Sequence, residues 1–275
     1  MKGLAGLLRS FRSAEVFSKE KPLHKIACLG TTLELLYRIK TKKKLEEASG
    51  AFREFIKPDS ICFDIGAGYG RLTYTMAKLC PKGHVYSFEP EDYSYRVLSN
   101  LVKLAKLKNV TTVQKAVYDK ETELELLVPL KTSNKFVPHL SYLATGDFKE
   151  RTSHILEKTT TITIDDYCVK NNIPKVDFIK CDVEGAELFV LKGAINYLTR
   201  HRPAVFIEII DTNLKHFNLN FNDMEKFFSE LNYKSVIFKN GLLQENPIEK
   251  QHYDYFFIPS EMQFSFACNG KGGKK

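Results

Sequence analysis

The stretch FDIGAGYGRLTYTMAK, from Phe63 to Lys78, is the part of the sequence that is most informative about the fold. The apolar run SICFDI (60–65) leads into it and is typical of a strand that is covered on both faces. Three glycines follow, at positions 66, 68 and 70, and let the backbone turn sharply and approach a ligand closely. Leu72, Met76 and Leu79 then recur at helical spacing. The stretch therefore predicts a strand, a ligand-binding loop and a helix.

The same alternation continues along the chain. Helical spacing of apolar residues predicts helices over about 97–105, 188–198 and 223–231, and a short helix after 163 that Asp165 caps. Such an order predicts an α/β fold with right-handed crossovers and helices on both faces of a mostly parallel sheet. The last two strands leave no room for a helix between them, which predicts an antiparallel pair at one edge. The predicted strands are 60–65, 84–89, 110–117, 123–128, 161–163, 176–182, 204–209, 234–238 and 254–258.

The glycine spacing bears on which ligand the loop holds. In a dinucleotide-binding loop the third glycine comes three residues after the second, whereas Gly70 follows Gly68 after two. Asp64 precedes the first glycine at the carboxyl end of the strand, where a carboxylate would repel a pyrophosphate. It would suit a cationic group such as the ammonium or sulfonium of S-adenosylmethionine (SAM). The loop therefore favours SAM over a dinucleotide.

Two further acids end predicted strands. Glu89 ends the strand HVYSFE, 19 residues after Gly70, where a carboxylate can accept hydrogen bonds from both ribose hydroxyls. Asp182 ends the strand VDFIKCD, and faces the glycine loop if that strand neighbours 60–65. Glu184 follows and either joins the site or caps the helix from Ala186. Paired carboxylates can act as a general base, as metal ligands or as cation stabilisers.

Five segments together are similar to the FkbM family of SAM-dependent methyltransferases. They are FDIGAGYGRLTYTMAK, VYSFEPE, TITIDDYC, VDFIKCDVEGAELFVLKGA and PAVFIEI, within about residues 55–258. The resemblance implies a Rossmann-like class I methyltransferase fold with a seven-stranded sheet and, usually, O-methylation of a hydroxyl. It implies that Asp182, Glu184 and Glu208 are the acids of the catalytic site. The resemblance implies that Asp64, Gly66, Gly68, Gly70 and Glu89 line the SAM site, and Ala67, Ala116 and Asp182 are further predicted SAM-site residues.

Asp182 is the predicted base or acceptor-positioning group, since an alcohol must lose its proton during attack. Glu184 and Glu208 rank after it, and His139 and His154 are rivals because histidine titrates near neutral pH. A metal site is not predicted, although these three acids leave a divalent ion open. The alternatives to O-methylation are N-methylation, a NAD(P)-dependent oxidoreductase and a non-catalytic scaffold.

Regional patterns divide the chain into an N-terminal helical extension (1–50), a methyltransferase domain (51–262) and a basic tail (263–275). Leu4, Leu7, Leu8 and Phe11 predict an amphipathic helix in the extension. Residues 129–160 have no clear period and are the predicted substrate loop, with Phe136 and Tyr142 as an apolar lid or core contacts. Neither this segment nor 1–50 matches the family pattern, so both are expected to select the acceptor.

Composition limits the partners and the compartment. The net charge is +8, yet no aromatic-interleaved basic motif suggests nucleic acid. A glycan or small-molecule acceptor is expected, and the basic N-terminal helices leave contact with a membrane surface open. The six cysteines are scattered without a CxxC pair, which indicates a reduced compartment and cysteines that act as small hydrophobes. A cytoplasmic location follows, and the oligomeric state has no sequence signal.

Overall fold

The computed structural model describes residues 22–41, 45–131, 135–136, 141–143, 154–239, 242–245 and 254–263. The predicted helix at 4–11, His139 and nearly all of the basic tail lie outside these residues. Within them the helices are α1 (Pro22–Thr41), α2 (Leu45–Phe55), α3 (Arg71–Leu79), α4 (Asp92–Leu104), α5 (Ile164–Lys170), α6 (Glu187–Lys192), α7 (Ile195–His201), α8 (Asp211–Leu214) and α9 (Phe221–Glu230). A 3₁₀ turn, Lys215–Phe217, follows α8.

Eight of the described strands form one sheet, in the spatial order β12-β11-β13-β10-β9-β1-β2-β3. Strands β10, β9, β1, β2 and β3 are parallel to one another, and Asp64 of β1 lies opposite Lys180 of β9. Strands β1 and β9 are therefore neighbours, which is the condition under which the sequence places Asp182 opposite the glycine loop. The strands are β1 (Ile61–Ile65), β2 (His84–Phe88), β3 (Val110–Val113), β9 (Phe178–Cys181), β10 (Ala204–Glu208), β11 (Tyr233–Lys239), β12 (Leu242–Glu245) and β13 (Asp254–Pro259).

The fold is the predicted α/β class I methyltransferase fold. In the described residues the main sheet has eight strands, one more than the seven predicted. The addition is β12, a short edge strand that pairs antiparallel with β11. Strand β13 lies inside the sheet, antiparallel to both β10 and β11. The antiparallel pairing of the last two predicted strands is confirmed, whereas the position of that pair at the edge is wrong.

A second, smaller sheet stands beside the first. The predicted strand 110–117 divides into β3 and β4 (Ala116–Val117), and β4 pairs with β8 (His154–Ile162) in the second sheet. Strand β5 (Glu123–Lys131) pairs with β8 and with two short strands, β6 (Lys135–Phe136) and β7 (Tyr142–Leu143). The described parts of the predicted irregular segment 129–160 are thus largely strand, because β5 and β8 run antiparallel along each other.

Two helix features differ from the prediction, and both involve contacts between distant parts of the chain. The single helix over 188–198 is broken at Gly193, where a Cβ would lie 2.2 Å from the carbonyl oxygen of Tyr118. Thr163 caps α5, since its hydroxyl accepts a hydrogen bond from the Asp166 amide. The Asp165 carboxylate instead accepts hydrogen bonds from the amides of Asn196 and Tyr197 at the start of α7.

Apolar side chains fill both faces of the main sheet. Helices α5, α6, α7 and α9 cover one face, while α2 and α3 cover the other. The five described cysteines are buried and free, which confirms their predicted role as small hydrophobes. Among the described helices, none is both long enough and apolar enough to cross a membrane.

Candidate functional site

The glycine loop joins the carboxyl end of β1 to α3, and its backbone has the geometry that glycine permits. Gly66, Gly68 and Gly70 have φ of 70°, 54° and 86°, which side-chain-bearing residues rarely adopt. A Cβ at Gly66 would lie 1.8 Å from the carbonyl oxygen of Asp182, so no side chain fits there. The Asp182 amide in turn donates a hydrogen bond to the carbonyl oxygen of Ile65 at 3.1 Å. The loop and the end of β9 are therefore in direct contact.

The other two glycines differ in their surroundings. A Cβ at Gly70 would lie 2.5 Å from Leu98 Cδ1, so this glycine allows the start of α3 to pack closely on α4. A Cβ at Gly68 would meet nothing within 4 Å. The tip of the loop thus leaves open space beside its backbone, where a ligand could approach.

Glu89, at the end of β2, holds the tip of the loop. Its Oε2 accepts a hydrogen bond from the Gly68 amide at 2.7 Å, and Oε1 accepts one from the Glu91 amide at 3.0 Å. Burial raises the pKa of Glu89 to about 7, although these two amides and Lys180 act in the opposite direction. The carboxylate is positioned beside the open space at Gly68, and each oxygen keeps acceptor capacity for a further donor. Its predicted contact with ribose hydroxyls stays a prediction.

Beneath the loop lies a buried lysine that sequence reasoning missed. The Lys180 ammonium is 3.3 Å from Asp64 Oδ1 and 3.5 Å from Asp182 Oδ2, and its side chain is 3% exposed. It also donates hydrogen bonds to the carbonyl oxygens of Ile65 and Gly66. Burial alone would lower the pKa of Lys180, but the carboxylates of Asp182 and Asp64 raise it above its ordinary value.

Asp64 is consequently a buried residue under the loop. Its carboxylate is fully covered, accepts a hydrogen bond from the Thr73 hydroxyl at 2.6 Å and faces the Lys180 ammonium. The cation that the sequence assigned to the ligand is thus already present as Lys180. One signal could have revealed it: a lysine inside the apolar run VDFIKCD must be paired, because lysine is almost never buried alone.

Three carboxylates lie together where β9 and β10 end. Glu208 ends β10 next to the end of β9, and the side chain of Asp182 is 30% exposed. Burial, followed by the charge of Asp182, raises the pKa of both Glu184 and Glu208 to about 7. The structure therefore brings together the three acids that the sequence proposed as catalytic.

The sequence also offered Glu184 as a helix cap, but α6 begins at Glu187 without a side-chain cap hydrogen bond. Glu187 Oε1 accepts hydrogen bonds from the amides of Val183 and Gly185. Glu184 has a left-handed backbone with φ of 58°, and its carboxylate accepts a 2.6 Å hydrogen bond from the Asn213 side chain. Its side chain is thus turned to α8, the short helix that follows β10.

The remaining predicted site residues lie in different parts of the structure. Ala67 is buried, and its amide donates a hydrogen bond to the carbonyl oxygen of Phe88. Ala116 is buried in β4 among Tyr118, Leu126, Leu143 and Ala186, so its predicted role at the SAM site has no contact with the glycine loop to support it.

The rival base His154 begins β8, opposite Pro129. Tyr142 lies in β7, with its ring 5.9 Å from that of His216. In the described part of the chain no group of three or more His, Cys, Asp or Glu residues could hold a metal ion.

Comparison with known proteins agrees with the sequence motifs. A family model described as a methyltransferase FkbM domain matches residues 64–235. The chain is 25% identical over 169 residues to the 2-O-methyltransferase NoeI of Sinorhizobium fredii, which covers 58% of this chain and 66% of that protein. It is 26% identical over 212 residues to the hexuronic acid methyltransferase AglP of Haloferax volcanii, which covers 76% of this chain and 77% of that protein.

Among solved structures, the crystal structure of methyltransferase FkbM from Methylobacillus flagellatus has the same fold. It superposes with a TM-score of 0.51 at 17% identity, over 94% of this chain and 58% of that one. The match to NoeI covers just under two thirds of that relative, at 66% of its length.

Proposed function

Because the chain belongs to the FkbM methyltransferase family, we propose that it transfers the methyl group of SAM to a hydroxyl of a saccharide. One observation carries the proposal: the strand that ends in Asp182 lies directly against the glycine loop, with the Asp182 carbonyl oxygen where a Gly66 side chain would be. A base at Asp182 would therefore act next to a cofactor held by the loop. The family match favours this reading over the nicotinamide-dependent oxidoreductase that the glycine loop had left open.

The residues at the loop fit SAM. The open space beside Gly68 admits a ligand against the backbone, and Glu89 presents a carboxylate there for ribose hydroxyls. The buried ammonium of Lys180 and the carboxylates of Asp64 and Asp182 form a fixed charge arrangement under the loop. SAM, when bound, supplies a methyl group attached to a positively charged sulfur, and this sulfur is the leaving group, as a neutral thioether.

The chain's own residues would position the acceptor and take up its proton. The partly exposed Asp182 carboxylate accepts the proton of the attacking hydroxyl as the new oxygen–carbon bond forms, which contributes about 10²- to 10⁴-fold to the rate. Lys180 orients Asp182 from below, and Glu184 and Glu208 flank it. Holding the oxygen in line with the methyl group supplies much of the remaining acceleration.

The names of the relatives support the acceptor class. One relative is a 2-O-methyltransferase, and another methylates a hexuronic acid, which is a sugar acid. Carboxylates are suitable partners for the hydroxyls of a sugar, because they accept hydrogen bonds from several hydroxyls at once. An oxygen of a sugar is thus favoured over a nitrogen as the methylated atom.

A direct assay tests this proposal. The purified protein is incubated with SAM that carries a labelled methyl group and with a panel of sugars, uronic acids and glycan extracts. We expect labelled, alkali-stable product from a saccharide and consumption of SAM, and we expect no change in NADH absorbance when NAD is supplied with the same panel. Label recovered only in nitrogen-linked methyl groups would contradict O-methylation, and hydride transfer without methylation would contradict the family reaction.

The affinity for S-adenosylhomocysteine, the product form of the cofactor, is expected to depend on the charge of Glu89. Accepting hydrogen bonds from two hydroxyls requires the carboxylate form, and burial raises the pKa of Glu89 to about 7. The carboxylate is therefore mostly protonated at pH 6 and mostly ionised at pH 8. We predict that calorimetry will show binding about tenfold tighter at pH 8 than at pH 6.

Glu89→Gln removes this titration and keeps the shape of the side chain. The variant should bind S-adenosylhomocysteine about 10- to 100-fold more weakly at pH 8, the effect of one hydrogen bond to a charged group, and should show a flat pH dependence. Glu121→Gln, at an exposed acid paired with Lys170, is the matched control and should bind as the native protein does. An unchanged affinity in Glu89→Gln would remove the ribose assignment.

A further inference from the structure

Helix α1 uses one face to pack on the methyltransferase domain. Ala27 and Cys28 are buried against Tyr93 and Val97 of α4. The Thr31 hydroxyl is 2.7 Å from the Tyr93 hydroxyl, and the buried Thr32 hydroxyl donates to the carbonyl oxygen of Val97 at 3.4 Å. These contacts fix the rotation of α1, and therefore also fix which residues point away from the domain.

The opposite face of α1 carries a stripe of exposed apolar side chains. Ile26, Leu29, Leu33 and Tyr37 are 53%, 45%, 51% and 54% exposed, and their spacing of three and four residues places them on one side of the helix. In the part of the chain that the structure describes, this apolar stripe is a large share of the exposed large hydrophobic residues. Contiguous exposed apolar surface of this kind marks an interaction site.

Charge is distributed just as unevenly. The first 44 residues contain 11 lysines and arginines and 3 acids, whereas the remaining 231 residues contain 30 of each sign. The whole net charge of +8 thus belongs to the N-terminal segment that includes α1. Lys25 and Lys40 are exposed near the two ends of the apolar stripe.

We propose that α1 docks the protein on an anionic lipid bilayer, with the apolar stripe in the interface and the flanking basic residues at the lipid headgroups. This interaction is separate from methyl transfer. A helix with an apolar face and basic flanks lies in the plane of a membrane interface, and its binding combines apolar burial with attraction to anionic lipids. A nucleic acid would match the positive charge but would leave the apolar stripe in water, so a lipid surface fits both features.

The docked orientation also concerns the candidate site. Tyr93 stands at the start of α4, and Tyr69 of the glycine loop packs against it with ring centroids 6.1 Å apart. Helix α1 covers Tyr93 on its inner side, while the apolar stripe faces outward. The glycine loop thus lies about one helix diameter, on the order of 10 Å, from the proposed lipid surface.

Vesicle co-sedimentation of the full chain tests the docking surface. The vesicles contain either phosphatidylcholine alone or phosphatidylcholine with about 30 mol% of the anionic lipid phosphatidylglycerol. We expect binding to the anionic vesicles only, and a steep loss of binding at high salt because the charges are exposed. The double variant Leu29→Glu/Leu33→Glu should bind at least tenfold more weakly, and Lys25→Gln/Lys40→Gln should lose about fivefold for each lysine.

The control variant is Leu104→Glu/Val169→Glu, which makes the same chemical change at two exposed apolar residues of α4 and α5. It should bind anionic vesicles as the native protein does, and all variants should keep native affinity for S-adenosylhomocysteine. Any of four results would overturn the proposal: equal loss in the control variant, no binding of the native protein to anionic vesicles, a dimer that Leu29→Glu/Leu33→Glu dissociates, or a fall in thermal stability of that variant without loss of vesicle binding. The last two would assign the stripe to a second copy or to another segment of this chain.

Discussion

Replacing Lys180 by Met is expected to lower the free energy of unfolding by about 3–5 kcal/mol, the cost of leaving a buried charge without its partner. The ammonium lies 3.3 Å from the fully buried carboxylate of Asp64, which keeps only its hydrogen bond from Thr73 when the ammonium is removed. The carbonyl oxygens of Ile65 and Gly66 lose a donor as well. Met has nearly the same length as Lys, so a cavity contributes little. Urea denaturation followed by circular dichroism measures the change.

Two comparisons separate this charge effect from general damage. Lys175 forms an ion pair with Asp177 at 3.0 Å on the surface, with 44% of its side chain exposed. Lys175→Met should therefore cost only about 0–1 kcal/mol. The double variant Lys180→Met/Asp64→Asn removes both charges and should recover much of the lost stability, because neighbouring charges couple in a double-mutant cycle. Equal costs for Lys180→Met and Lys175→Met would show that the buried pair contributes nothing special.

Lys180 also illustrates what the sequence could and could not reveal. The apolar runs around Asp64, Asp182 and Glu208 predict strands, and in parallel neighbouring strands the side chains at the carboxyl ends must meet at one edge. The pattern therefore predicts that Asp64, Asp182 and Glu208 lie at one edge of the sheet. The lysine within the strand VDFIKCD needs a buried partner, and this requirement is visible without a structure. The contact with Asp64 then follows from the register of β1 and β9.

Other features depend on contacts between distant parts of the chain. The break between α6 and α7 lies at Gly193, which is in close contact with the carbonyl of Tyr118, 75 residues away, and helical periodicity continues across it. The second sheet likewise arises because β5 pairs along nearly all of β8. Local propensity carries no information on either contact, so a periodic pattern predicts the elements better than their ends or their partners.

The substitution Asp182→Asn is expected to reduce the rate of methyl transfer by about 10²- to 10⁴-fold, the usual contribution of a general base. Asn keeps the size of the side chain and the backbone contact between residue 182 and the glycine loop. It cannot accept the proton of a hydroxyl at neutral pH. The affinity for S-adenosylhomocysteine should therefore change little, and the loss should appear in kcat, measured with the saccharide acceptor that the labelling assay identifies.

The flanking acids provide the decisive comparison, since burial gives both glutamates a recognisable pH dependence. Burial and the charge of Asp182 raise the pKa of Glu184 and Glu208 to about 7. A base must be ionised to act, so a rate that depended on either glutamate would rise as the pH increases through about 7. If Asp182 is the base, Glu184→Gln and Glu208→Gln retain most of the rate while Asp182→Asn does not. The opposite result would be a fully active Asp182→Asn, an inactive glutamine variant, and a rate of the native protein that rises through about pH 7. The base would then be that glutamate, and Asp182 would serve only to pair with Lys180.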